Sequence, residues 1–182
     1  MTNAFVMPEG TATGVVSPVG ALINHRYRVI RLLGQGGSAQ VLLVEDLVKK
    51  RTVALKKVSL APEAGKNHEY LKFEFLSLTR LSHPNLPEVY DFEYDPEQDG
   101  YFFTMEHVSG RDFLESCRRL SWKAQLPLWR EICEGLNYIH SRGLLHCDLK
   151  PANIVVTGSR KPPRLKLIDF SLSEPEAGEM TR

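Results

Sequence analysis

Two short apolar runs, residues 154–156 and 165–168, flank Thr157-Gly158-Ser159-Arg160-Lys161-Pro162-Pro163, a segment made of turn formers. Runs of that length bounded by Gly and Pro read as paired short strands. Pairing them antiparallel constrains their neighbours. Asn153 enters the first strand and Asp169 leaves the second, so both side chains arrive at the same end of the hairpin. Oxygen ligands brought together in this way suit Mg²⁺, which takes one or two protein oxygens and fills its sphere with phosphate oxygens and water. Asn and Asp also cap turns where there is no metal. Asp148, five residues upstream on the same loop, favours the site over the caps.

The rest of the chain shows two kinds of pattern. Residues 1–24 are rich in Gly, Pro, Thr and Ser, lack a period, and read as a flexible tail. Three β-rich stretches follow, residues 27–33, 41–45 and 53–58, joined by Gly34-Gln35-Gly36-Gly37-Ser38-Ala39-Gln40 and by a polar turn at 49–51. Residues 66–81 have helical spacing, with Leu71, Phe75 and Leu78 on one stripe and Leu76 beside it, ended by His83-Pro84-Asn85. Strand-like runs at 86–94 and 101–107 flank a turn at 95–100. After Ser109-Gly110 a short helix at 112–119 and a longer one at 121–140 are expected. The longer helix carries Leu128, Ile132, Leu136 and Ile139 in register, with Gly143 as its C-terminal cap. The expectation is an α+β chain in two lobes: a five-stranded antiparallel lobe with one helix over 25–108, and a partial, mainly helical lobe over 109–182.

Composition excludes several classes. A chain of 182 residues with 42% hydrophobic content can bury a real core or two small lobes. Twenty-three basic against twenty-two acidic residues leave no footprint for nucleic acid or an anionic membrane, and Lys49-Lys50-Arg51 reads as a solvated turn. Cys117, Cys133 and Cys147 are odd in number and lack metal-ligand spacing, which fits a reducing cytoplasm. No Lys or Arg precedes Arg26, and no run approaches the ~18 apolar residues of a membrane span. A soluble intracellular protein is expected.

A glycine-rich turn between antiparallel strands lets backbone N–H groups approach phosphate without an intervening Cβ, although such glycines often mark only a tight turn. No Gly-Lys-Ser/Thr leading into a helix is present, which argues against a Walker-type loop. In Val53-Ala54-Leu55-Lys56 the period of a strand puts Lys56 on the face of the small Ala54, where its amine can reach a ligand under the glycine turn. Glu74, three residues after Leu71 and four before Leu78, lies close to the inward stripe of its helix. A carboxylate turned inward is costly unless paired, and Lys56 is the nearest candidate; the other possibility is a Glu74 that snorkels to solvent. His140 and His146, six apart across Gly143, match no helical ligand pair and read as structural. Cys147 carries no signature of an activated thiol.

Together these residues resemble the eukaryotic-type, Hanks-type serine/threonine protein kinase family over roughly residues 25–173. The motifs occur in the family's order: Gly34-x-Gly36-x-x-Ala39-x-Val41, Val53-Ala54-Leu55-Lys56, Glu74 nine residues before His83-Pro84-Asn85, His146-x-Asp148-x-Lys150-Pro151-x-Asn153, and Asp169-Phe170. The resemblance implies a bilobal fold with ATP in the cleft. Gly34, Gly36 and Val41 would cover the nucleotide, beside Ala54, and Lys56, steadied by Glu74, would hold its α- and β-phosphates. Met105 would be the gatekeeper, Glu106 to Val108 the hinge facing adenine, and Asp112 a ribose contact. Asp148 and Lys150 would be catalytic, Asp148 orienting the hydroxyl of a protein Ser or Thr, while Asn153 and Asp169 hold Mg²⁺.

The sequence departs from the pattern at four points. Ala39 replaces the third glycine, Cys147 the usual arginine before the catalytic acid, and Ser171 the glycine after Asp169-Phe170. The chain also stops at Arg182, inside the expected activation segment, so a fragment of a longer parent or a truncated natural chain is expected. A nucleotide-binding pseudokinase or scaffold, and a kinase-like small-molecule phosphotransferase, are the alternative readings.

Overall fold

Residues 17–36, 39–58, 64–97, 99–158 and 164–169 are described by the computed structural model. They form β1 (Leu22–Ile23), β2 (Tyr27–Gln35), β3 (Ala39–Asp46), β4 (Arg51–Val58), α1 (Ala64–Thr79), β5 (Val89–Asp95) and β6 (Gly100–Glu106). There follow β7 (Arg111–Asp112), α2 (Phe113–Cys117), α3 (Trp122–His140), a 3-10 turn (Pro151–Asn153), β8 (Ile154–Thr157) and β9 (Arg164–Leu167). β1 to β6 make one antiparallel sheet in the order β1-β2-β3-β4-β6-β5, and β7-β8-β9 make a second. The fold is α+β, a strand-rich lobe followed by a helical one.

The five expected strands of the first lobe are present, and β1 is an addition. Its two residues pair with Tyr27 and Arg28, and Ile23 is buried against Tyr27. Residues 22–23, within the span expected as a tail, thus belong to the sheet: a two-residue strand has no period to read, and burial of one isoleucine decides it. Residues 1–16 of that tail lie outside the described residues. β5 starts at Val89 rather than 86, because Leu86 closes a turn onto the His83 carbonyl and Pro87 has no N–H to give a ladder. The helix expected over 112–119 is only one turn and a half long, ending at Cys117.

The two-residue period of β4 and β6 sorts their side chains into different cores. Val53, Leu55 and Phe102 join Ile23, Tyr27, Val29, Leu42 and Val44 on the outer face, with the Tyr27 and Phe102 rings edge to face at 5.6 Å. Ala54, Phe103 and Met105 face the other way, onto Leu71 and Leu78 of α1. Leu76, expected beside that stripe, is exposed. The inner core continues without a break into the second lobe through Leu86, Leu128, Ile132, Ile139, Ile154, Leu165 and Leu167. Each such side chain, fully buried, contributes roughly 1.5–3 kcal/mol, so the two lobes share one stabilising core.

On α3 the buried stripe is Leu128, Glu131, Ile132, Gly135 and Ile139. Gly143, at φ +71°, lets its own N–H reach the His140 carbonyl and the Leu144 N–H reach Ile139, closing the helix as expected. No helix among the described residues is long and apolar enough to cross a membrane.

Candidate active site

Lys56 sits on β4 between Val41 of β3 and Phe103 of β6, and the inward face it shares with Ala54 aims its amine at α1. Its Nζ donates to Glu74 Oε1 at 2.8 Å and to Asp169 Oδ1 at 3.2 Å. The inward Glu74 is thus paired rather than snorkelled. Burial pulls the Lys56 ammonium down, but Glu74 and Asp169 outweigh it and leave the group above its ordinary value. Burial also pushes the Glu74 carboxyl up, against the pull of Lys56.

The second half of the site is built by the 3-10 turn and the β8–β9 hairpin. The register Ile154↔Leu167 puts Asn153 at the open end of the hairpin, where the Ile168 N–H donates to the Asn153 carbonyl at 2.8 Å. Asp169 follows at φ +57°, a left-handed conformation that a non-glycine residue adopts at a cost. Asn153 Nδ2 donates to Asp148 Oδ2 and to the Asp148 carbonyl, each at 2.9 Å, and Lys150 Nζ donates to Asp148 Oδ2 at 2.8 Å. The Lys150 ammonium, ahead of Asn153, holds the Asp148 carboxyl below its usual range, and Lys150 is raised in return. Cys147, between the buried His146 and Asp148, also has a left-handed φ, +56°. His146 is buried and, by that burial, favours its neutral form, as a structural histidine should.

Of the fourteen candidate positions, the hydrogen bonds and ion pairs bring together six: Lys56, Glu74 and Asp169 in one group, Asp148, Lys150 and Asn153 in the other. Ala54 and Met105 face each other across the β4–β6 ladder, and Glu106 closes it opposite Val53. The Glu106 carboxylate accepts from Lys166 at 2.8 Å and from the Glu88 N–H at 3.3 Å, and the Glu106 N–H donates to the Glu88 carbonyl at 2.7 Å. Val108 is half-buried just beyond. Asp112 has a different first task from the ribose contact expected of it: its Oδ1 caps α2 by accepting the Glu115 N–H at 2.9 Å. Phe170, Ser171 and the end of the chain lie outside the described residues, as do Gly37 and Ser38.

The residues fit a nucleotide. A side chain at Gly34 would meet nothing within 4 Å and one at Gly36 only the Ala39 carbonyl at 3.9 Å, so protein packing does not demand glycine at either place. Bare backbone there suits close approach of a polyanion. Among the described residues no three His, Cys, Asp or Glu side chains gather to hold a metal. A metal here would take Asn153 Oδ1 and the Asp169 carboxylate and depend on phosphate oxygens for the rest, which is the habit of Mg²⁺.

Two residues escaped the sequence reading. Glu131 of α3 and Asn85, both buried, hydrogen-bond to each other at 2.9 Å behind the site. The signal for Glu131 was available, since it lies in the inward stripe three residues after Leu128, the same argument that singled out Glu74.

A sheet that presents a lysine clamp above a loop of acids defines the bilobal phosphotransferase class of fold. This chain belongs to the protein kinase family: the family model described as "Protein kinase domain" matches residues 27–180. It is 30% identical over 161 residues to the serine/threonine-protein kinase PrkC of Bacillus subtilis, covering 85% of this chain and 24% of that protein. It is 33% identical to the serine/threonine-protein kinase pkn2 of Myxococcus xanthus, covering 90% of this chain and 20% of the relative. With the DNA damage-responsive serine/threonine-protein kinase RqkA of Deinococcus radiodurans it shares 35% identity over 84% of this chain and 23% of the other. The chain thus spans about a quarter or less of these relatives. Among solved structures, Rad53 1-466 in complex with AMP-PNP matches with a TM-score of 0.69 and 30% identity, over 81% of this chain and 40% of that one.

Proposed function

We propose that this chain carries the ATP-binding and catalytic-loop portion of a serine/threonine protein kinase, which transfers the γ-phosphate of ATP to a Ser or Thr hydroxyl of a protein. The observation that carries the reading is the bridge from Lys56 to both Glu74 and Asp169, which ties a phosphate-holding amine to a metal-ligand position. Lys56 is held charged to meet α- and β-phosphates. Asn153 and Asp169 would hold Mg²⁺, which when bound neutralises phosphate charge. Asp148, kept ionised by Lys150, orients the acceptor hydroxyl and takes its proton late, as bond making to phosphorus advances. Lys150, two residues after the acid, supports the Ser/Thr preference.

The relatives' names support the reading, and the retained Lys56, Asp148, Asn153 and Asp169 weigh against a pseudokinase. A reducing, cytoplasmic setting goes with it, from the odd cysteine count. The test is transfer of labelled γ-phosphate to a generic basic protein by the full-length protein that carries this sequence, with and without Mg²⁺. Nucleotide binding with no transfer by that protein would favour the scaffold reading, and transfer unaffected by Asp169→Asn would sink the proposed mechanism.

A further inference from the structure

β9 is the edge strand of the β7-β8-β9 sheet. Its register with β8 sends the main-chain groups of Leu165 and Leu167 outward, where no strand among the described residues pairs with them. An unpaired buried edge is costly, and here side chains close it. The Leu165 N–H donates to Glu131 Oε2 at 2.9 Å, the Leu165 carbonyl accepts from Asn85 Nδ2 at 2.9 Å, and the Leu167 N–H donates to the Asn85 carbonyl at 2.8 Å. Asn85 Nδ2 also donates to Glu131 Oε2, and Glu131 Oε1 pairs with Arg164 Nε at 2.8 Å. Close packing supports the arrangement: a Cβ on Gly135 of α3 would lie 3.0 Å from Leu167 Cδ1 and 3.4 Å from Asn85 Cβ.

Two residues beyond Leu167 the chain delivers Asp169, and eleven residues before Asn85 α1 carries Glu74; Lys56 bridges the two acids. The Asn85–Glu131 pair therefore ties β9 to α3 and to the loop that follows α1, behind the acids that Lys56 bridges at the front. We propose that Glu131, with Asn85, is a positioning residue that fixes β9 and thereby sets Asp169 in metal-binding register. This rests on the kinase reading of the site. Residues that orient a ligand in this indirect way typically alter metal affinity by about 10–100-fold when changed.

The test is nucleotide binding by this chain, titrated with Mg²⁺ as the chloride, using ATP as the probe. Glu131→Leu, which leaves the Leu165 N–H without its acceptor, is expected to raise the Mg²⁺ midpoint about tenfold or more, with metal-free ATP affinity little changed. Glu131→Gln keeps an oxygen for Leu165 and Asn85 and should restore most of that loss. Ile139→Ala, a core truncation on the same helix, should lower the melting temperature without moving the Mg²⁺ midpoint. If Glu131→Leu does not fold, Arg164→Met on the exposed strand end takes its place, with a smaller upward shift expected. An unmoved Mg²⁺ midpoint in a folded Glu131→Leu, or in Arg164→Met where that replaces it, overturns the proposal and leaves the kinase reading standing. A parent chain that binds no ATP at any Mg²⁺ concentration removes the kinase reading, and this inference with it.

Discussion

Asn153 turns its amide back on Asp148, donating from Nδ2 to both the carboxylate and the backbone carbonyl, each at 2.9 Å. The acid is thereby fixed by the residue that would hold the metal, so acceptor and metal positions are set together. On the proposed function, Asp148→Asn should lower turnover by about 10²–10⁴-fold while ATP affinity is retained. Because Lys150 and Asn153 hold the Asp148 carboxyl below its usual value, its ionisation should leave no acid limb in the pH–rate profile above about pH 4. A limb near pH 6 that disappears in Asp148→Asn would contradict this.

Lys56→Met strands the buried Glu74 carboxylate, and losing one partner of a buried pair costs about 3–5 kcal/mol. Burial then raises the folded pKa of Glu74 above its unfolded value, so stability is intact below the unfolded value and lost as pH rises through the folded one. Melts of Lys56→Met should fall further below the parent at pH 8 than at pH 5. Adding Glu74→Gln should recover stability and leave phosphotransfer absent.

Arg26 grips Asp46 by two parallel hydrogen bonds, at 2.9 and 2.7 Å, and the Val48 and Lys49 N–H groups add two more at 3.0 Å. Led by Arg26, these hold the Asp46 carboxyl at about 2. A depressed folded value contributes stability above the unfolded pKa that is lost as pH falls through the folded one, here between about pH 4 and pH 2, on the order of 2 kcal/mol. Asp46→Asn should remove that acid-dependent part, checked by urea unfolding at pH 2.5 and pH 6.

Trp122, Leu126 and Trp129 recur at helical spacing on one flank of α3 outside its buried stripe; Trp129 meets Phe113 edge to face, and Trp122 is 66% exposed. Exposed apolar stripes of this kind promote association. Trp122→Gln with Leu126→Gln should keep the chain monomeric to higher concentration in sedimentation, with a melting temperature close to the parent's.

Cys147 stands where the family's usual arginine would pair with a phosphorylated activation segment. On the proposed function, phosphatase treatment should therefore leave phosphotransfer unchanged, measured as initial rates before and after treatment.

How much of this was legible in the sequence depended on the range of each interaction. The longer strands were legible as β-rich runs bounded by turn residues, whereas β1 and β7, two residues each, were not, and the placing of Asn153 and Asp169 at one end of a hairpin followed from its two runs. Lys56–Glu74 could be argued from the cost of an inward carboxylate. The closure of β9 by Asn85 and Glu131 could not, because it joins a loop, a helix and a strand far apart in sequence, and strand pairing predicts nothing about an edge that side chains close. The cap that Asp112 supplies to α2 was not legible for a related reason: an Asp before a short helix can cap it or reach out, and only the backbone geometry shows the cap.

Leu55 and Lys56 are adjacent in the chain yet serve opposite sides of β4. A deletion of one residue in the Leu47–Lys50 turn that shifted β4 by one step would turn Lys56 into the packed oil around Tyr27 and Phe102, and present Leu55 to the phosphates. Insertions and deletions in that surface turn, harmless to most sheets, would here exchange a ligand for a hydrocarbon; the length of a hairpin remote from the chemistry is itself part of the catalytic specification.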